Sequence, residues 1–197
     1  MKRDVPLPLS VLVSGSGTTL QAIIDAIGRG ELPCRIDVVV SDRPGAGALQ
    51  RAEAVGIPTA VVDRRAPRAE FSVRLGEVIP DSTRLVVLAG FLSIVGEPLL
   101  TRFRRSMINI HPSLLPDFGG RGMYGERVHR AVIASGAVRS GCTVHYVDAG
   151  TDTGEVILQR SVPVVAGDTP ESLASRLRPV EHRAMCDAIL TVLPHLR

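Results

Sequence analysis

Leu9-Ser10-Val11-Leu12-Val13-Ser14-Gly15-Ser16-Gly17-Thr18-Thr19-Leu20 is the stretch that decides the fold class. Leu9 to Val13 reads as a buried strand. Ser14 to Thr19 is a turn of small and hydroxyl residues, and Leu20 to Ile27 has the apolar spacing of an amphipathic helix. A strand that feeds a glycine turn and then a helix aims backbone N–H groups and a helix dipole at one point. Phosphate is the natural occupant of such a point. Gly15 and Gly17 let an anion approach the backbone, and the hydroxyls of Ser16, Thr18 and Thr19 can add donors. A tight turn with a threonine helix cap would use the same residues without any ligand. The dinucleotide version of the motif wants a third small residue near position 20; Leu20 stands there, which counts against NAD.

Working outward, strand and helix patterns alternate. Arg35 to Ser41 is a second strand, followed by Asp42, where a dinucleotide fold would put its ribose acid. A non-catalytic nucleotide-binding module therefore stays open as an alternative. Gly45 to Val55 reads as a helix, Thr59 to Val62 as a strand, Ala69 to Ile79 as a helix and Leu85 to Ala89 as a strand. Glu97 to Arg105 reads as a helix ending in cations that suit its dipole, and Met107 to Ile110 as the fifth strand. This alternation predicts a Rossmann-like, doubly wound, mostly parallel sheet. Beyond Pro116 the pattern changes. A glycine-rich loop (Asp117 to Gly125) and a helix (Glu126 to Ala134) precede two further strands, Thr143 to Val147 and Val156 to Val165. These predict a C-terminal antiparallel extension, with Pro163 marking a sheet edge. Thr169-Pro170 opens the last helix. With no linker or repeat, residues 1–197 read as one domain, with a nucleotide-binding half to about residue 105 and a catalytic half from about residue 106.

Composition excludes several function classes. Hydrophobic residues make up 45% and aromatics only 3%, so aliphatic side chains must fill the core. A net charge of +3 suits small anions and is too slight to argue for nucleic acid. Cys34, Cys142 and Cys186 have no metal or redox spacing and read as reduced thiols of a cytoplasmic protein. No stretch reads as a membrane span or signal peptide. Lys2 is the only lysine, which rules out Schiff-base chemistry and a phosphate loop ending in Lys-Ser/Thr.

The chemistry concentrates in Ile108-Asn109-Ile110-His111-Pro112-Ser113-Leu114-Leu115-Pro116. Residues two apart on a strand project from one face, so Asn109 and His111 point the same way at a strand's carboxyl end. That edge is where ligands bind in doubly wound sheets, and the glycine turn and the apolar loop Phe91 to Val95 fall there too. Asn109 is the only asparagine in the chain. It supplies an amide donor, and His111 a proton that moves near neutral pH. The other four histidines, His129, His145, His182 and His195, read as structural or solvated. No histidine spacing suits a metal.

These residues resemble the folate-dependent phosphoribosylglycinamide formyltransferases of purine biosynthesis. The resemblance is carried by Val13 to Gly17, Leu88-Ala89-Gly90-Phe91, Asn109 to Pro116, Gly141-Cys142-Thr143-Val144-His145, Asp152 to Gln159 and Glu181-His182. The Asn-x-His-Pro-Ser-Leu-Leu-Pro run with a downstream Asp-x-Gly is shared with methionyl-tRNA formyltransferases and formyltetrahydrofolate hydrolases. Those carry a further domain for which 197 residues leave no room, so the phosphoribosylglycinamide type is expected.

The resemblance implies transfer of the formyl group of 10-formyltetrahydrofolate to glycinamide ribonucleotide. It implies no metal, nucleic-acid or membrane partner, and a monomer or homodimer. Hydrolysis of formyltetrahydrofolate is the alternative activity. By the same resemblance Gly15, Ser16, Gly17, Thr18 and Thr19 would hold the ribose phosphate, and Glu181 the ribose hydroxyls. Arg68, Leu92, Ser93, Ile94, Val95, Asn109 and the Asp148–Asp152 loop would contact folate. Asn109, His111 and Asp152 would be catalytic, with Asp152 orienting His111. Departures stand at Ser16 and Thr19, where Asn is common, at Ser93, where Arg is common, and in the lengthened 117–125 loop.

Overall fold

The computed structural model describes residues 5–196, the side chain of Arg68 excepted. Its frame is one seven-stranded sheet. The strands are β1 (Leu7–Val13), β2 (Cys34–Ser41), β3 (Thr59–Val61), β4 (Leu85–Leu88), β5 (Met107–His111), β6 (Arg139–Tyr146) and β7 (Val156–Pro163), in spatial order β3-β2-β1-β4-β5-β6-β7. The first five run parallel; β6 and β7 join antiparallel. The order reverses between β1 and β4, which opens a crevice at the carboxyl ends of the central strands.

Both sheet faces are covered, which explains the near-continuous apolar strands. On β1, Leu9, Val11 and Val13 pack toward α1 (Thr18–Gly28) and α6 (Pro170–Val192). Leu12 faces the other way, toward Phe71 and Leu75 of α3 (Arg68–Val78). Ser10, fully buried, is satisfied by the Thr83 hydroxyl at 2.7 Å. α2 (Gly47–Glu53) lies beside the glycine turn, and α5 (Glu126–Ala134) packs against α6. Among the described residues no helix is long and apolar enough to cross a membrane.

Two expectations need correction. The helix anticipated over Glu97 to Arg105 is the single turn α4 (Leu99–Arg102): Phe103, at φ −112° and ψ 32°, has already left the helical region, and Arg105 at φ 57° does not return to it. Arg102 does stand in the last turn of α4, and it also donates to the Gly76, Ile79 and Pro80 carbonyls and to Asp81. β6 starts at Arg139 rather than Thr143, extended by Gly141, where a Cβ would collide with the Arg160 carbonyl of β7. The last helix has its Thr169 cap: the hydroxyl accepts from Ser172 N–H at 3.2 Å and the Ser172 hydroxyl accepts from Thr169 N–H at 3.0 Å.

Candidate functional site

A cavity of about 740 Å³ occupies the crevice. At one end lies the glycine turn. Gly17, with φ 77°, caps α1, and no side chain caps that helix. The threonine-cap reading is therefore not what the structure adopts. The N–H groups of Gly15 through Thr19 have no acceptor among the described residues, as expected for the first turn of an uncapped helix. Gly15 and Ser16 are exposed, and a Cβ on Gly15 would meet open space. Gly17 is buried, and its Cβ would sit 2.6 Å from Ala48. The two glycines thus do different work: Gly15 leaves room in front of the turn, and Gly17 lets α2 pack behind it.

At the sheet's centre stand Asn109 and His111, delivered to one side of β5 by the strand alternation. Asn109 is paired directly with His145 across the antiparallel β5–β6 ladder. The His145 ring fixes the amide. Its Nδ1 lies 2.8 Å from the Tyr146 carbonyl and so carries the proton, and its Nε2 accepts from Asn109 Nδ2 at 3.1 Å. One Asn109 N–H remains to be given to a ligand. His111 is buried; its Nε2 donates to the Phe118 carbonyl at 2.9 Å, and its Nδ1 faces Asp152 Oδ2 at 3.4 Å.

Asp152 reaches both rings, with Oδ1 3.7 Å from His145 Nε2, and accepts from Gly120 N–H at 3.0 Å. Burial pushes its carboxyl pKa up, but the neighbouring His111 and the Gly120 N–H act against this, and the carboxyl lies below the usual carboxylate value. The Asp-x-Gly spacing has a physical reason. Asp152 adopts φ 58°, and a Cβ at Gly154 would collide with the Tyr146 carbonyl. Asp148 serves its own loop instead, accepting from Gly150 N–H at 3.0 Å and from the Thr153 hydroxyl at 2.7 Å.

Leu92, Ser93, Ile94 and Val95 form an apolar wall of the cavity, and Asp148 and Thr151 lie on its rim. Two hydrogen bonds anchor that wall: Leu92 N–H to the Ser14 hydroxyl and the Ser93 hydroxyl to Asp42, each at 2.8 Å. Asp42 is fully buried. α6 lends the cavity one face, including Arg178 and Glu181. Burial pushes the Glu181 carboxyl up to about 7, against the opposing pull of Arg178, so it can donate as well as accept near neutrality.

Of the residues singled out from sequence, Thr19, Leu92, Ser93, Ile94, Val95, Asn109, His111, Asp148, Asp152 and Glu181 line this one cavity. Gly15, Ser16, Gly17 and Thr18 adjoin it through the turn without lining it. The Arg68 side chain lies outside the described residues. Sequence reasoning missed His145, whose strand register opposite Asn109 could not be read from spacing. It also missed Arg178, which sits one helical turn before Glu181 and so shares its face. His129 lines the cavity too; burial lowers its pKa, and its Nδ1 has no partner among the described residues.

Known proteins resemble this chain along nearly its whole length. The trifunctional purine biosynthetic protein adenosine-3 of Bos taurus is 39% identical over 93% of the chain, and the chloroplastic phosphoribosylglycinamide formyltransferase of Vigna unguiculata 41% identical over 92%. The chain spans only 18% of the first and 59% of the second. The crystal structure of glycinamide ribonucleotide transformylase 1 from Symbiobacterium toebii superposes with a TM-score of 0.88 at 42% identity, covering 94% of this chain and 87% of that one. A formyltetrahydrofolate deformylase from Pseudomonas syringae, 24% identical with a TM-score of 0.85 over 98% of this chain and 62% of its own, shares the fold. The formyl transferase family model matches residues 8–189, and the chain belongs to that family.

Proposed function

We propose that this protein transfers the formyl group of 10-formyltetrahydrofolate to the amino group of glycinamide ribonucleotide, a step of purine biosynthesis in the cytoplasm. One observation carries the reading. A donor amide and a histidine–aspartate pair line a cavity that adjoins a turn of unpartnered N–H groups, so a reactive centre and an anion site stand side by side. The similarity to phosphoribosylglycinamide formyltransferases supports the choice of acceptor.

In this reading the ribose phosphate lies on the N–H groups of Gly15 to Thr19, with the hydroxyls of Ser16, Thr18 and Thr19 around it. The ribose hydroxyls meet Glu181. The folate lies along Leu92 to Val95 and the Asp148–Asp152 loop. The acceptor amine attacks the formyl carbon, and negative charge grows on the formyl oxygen. The free Asn109 N–H donates to that oxygen as the charge develops, the condition under which a preorganised donor lowers a barrier. His145 holds the amide for that purpose. His111, set against Asp152, handles the proton that must leave the attacking amine and reach the folate nitrogen. Release of His111 Nε2 from the Phe118 carbonyl would free that nitrogen for substrate.

The test mixes the protein with 10-formyltetrahydrofolate and glycinamide ribonucleotide and follows loss of the formyl group. Acceptor-dependent loss is expected. Loss that proceeds equally well without the ribonucleotide would make the protein a hydrolase. Nucleotide binding with no turnover would leave a non-catalytic module.

A further inference from the structure

The glycine turn is held from behind by three consecutive hydrogen bonds. The Ser14 carbonyl accepts from Arg43 Nε at 2.5 Å, the Gly15 carbonyl from Ala48 N–H at 3.1 Å, and the Ser16 carbonyl from Arg51 Nε at 2.7 Å. In a trans peptide the C=O of one residue and the N–H of the next point in opposite directions within a rigid plane. Pinning the carbonyls of residues 15 and 16 toward α2, and that of residue 14 toward Arg43 in the loop before it, therefore aims the N–H groups of Gly15, Ser16 and Gly17 away from them. Those are among the donors that find no acceptor among the described residues.

Arg51 is the better built of the two arginine anchors. It is half-buried, and its guanidinium makes a second bond, from Nη1 to Gln21 Oε1 of α1 at 3.2 Å. Its Cδ lies 3.3 Å from where a Gly17 Cβ would stand, so its stem packs on the turn. Neither Arg43 nor Arg51 lines the cavity. Both guanidinium groups add positive potential behind a site that would take an anion.

We propose that Arg51, assisted by Arg43, is a positioning residue for the phosphate of the acceptor: it touches no ligand and acts by orienting the peptide planes that do. The inference rests on reading the turn as the phosphate subsite. Arg51→Met keeps the apolar stem and removes the donors. It is expected to raise the KM for glycinamide ribonucleotide about tenfold, the scale of a lost charge-assisted hydrogen bond. The kcat at saturating acceptor and the calorimetric Kd for 10-formyltetrahydrofolate should stay within about twofold. Arg51→Lys, whose ammonium can still reach the Ser16 carbonyl, should recover most of the loss. Gln21→Ala, a milder variant that keeps the test alive if Arg51→Met does not fold, should raise the same KM by about two- to threefold. An unchanged acceptor KM in Arg51→Met and Gln21→Ala overturns the proposal, and so does equal weakening of both ligands, the mark of a merely structural role. Wild-type protein that binds 10-formyltetrahydrofolate but not the ribonucleotide would instead remove the acceptor reading, and the proposal with it.

Discussion

The two ends of the cavity are built by different means. The glycine turn is one continuous segment whose donors are backbone N–H groups, and its side chains are small or absent. The chemical centre is assembled from β5, the β6–β7 loop, β6 itself and the 117–125 loop, and every group that matters except the Phe118 and Tyr146 carbonyls and the Gly120 N–H is a side chain. Backbone donors cannot be deleted by substitution; they can only be blocked or mis-aimed. Side chains can be deleted one at a time. The two ends should therefore answer mutation differently, the centre through catalytic rate and the turn through acceptor affinity.

The sharpest break of this contrast is Asn109→Ala. It should lower kcat about 10²–10³-fold while leaving the Kd of both substrates nearly unchanged, since the lost donor acts on charge that appears only in the transition state. Steady-state kinetics alongside calorimetry checks this, and a change confined to KM would move Asn109 to the binding side.

Next comes the choice between aspartates. Asp152→Asn should cost roughly 10²-fold in kcat, the lower scale for a positioned proton-transfer partner. Asp148→Asn should stay within a few-fold, because that carboxylate closes its own loop. The depressed Asp152 pKa adds a pH signature. Its stabilising contribution is present above the unfolded carboxylate pKa and is lost as pH falls through the lower folded value. The stability gap between wild type and Asp152→Asn should accordingly close in acid, as read by denaturant titration at several pH values.

The turn's two glycines sharpen the comparison at its other end. Gly17→Val should destabilise the whole fold by about 2–4 kcal/mol, since it forces a left-handed backbone and a clash with Ala48. Both ligands would then be lost together. Gly15→Val has space for its side chain in the structure, so it should fold normally and weaken ribonucleotide binding about tenfold by standing in front of the N–H groups. Equal behaviour of the two variants would erase the distinction between front and back of the turn.

A separate, pH-dependent effect is expected at Glu181. Its folded pKa is raised from 4.5 to about 7, so the native state holds the proton more tightly than the unfolded chain does. Stability should fall as pH rises between those values, by up to roughly 3 kcal/mol at about 1.4 kcal/mol per unit. Glu181→Gln should flatten that slope in thermal melts from pH 5 to 8. A slope that survives the substitution would assign it to other groups.

Much of the site was legible because its signals are local. The strand–turn–helix run around Gly15 and Gly17 and the Asn-x-His spacing each lie within a dozen residues, and the Asp-x-Gly turn within three. Periods of two and 3.6 residues likewise fixed the order of elements and the antiparallel end of the sheet. The illegible parts depend on pairing across the sheet or between helices. His145 looked like any buried histidine, because its meaning comes from standing opposite Asn109 across a ladder whose register only folding sets. Gly17 looked like a phosphate glycine, because nothing in the local sequence reveals Ala48 behind it. Arg51 lies more than thirty residues from the carbonyl it holds.

The chain's own periodicity and punctuation therefore determined a doubly wound sheet, the end of it that carries the site, and the residue types that would do the chemistry. Tertiary structure decided which aspartate meets His111, which glycine faces open space and which the packing, and what fixes the Asn109 amide. The division has a physical cause. Backbone conformation and amphipathic pattern are governed by neighbours in sequence, whereas hydrogen-bond partnership and close packing are governed by distances that exist only once strands are in register and helices are seated.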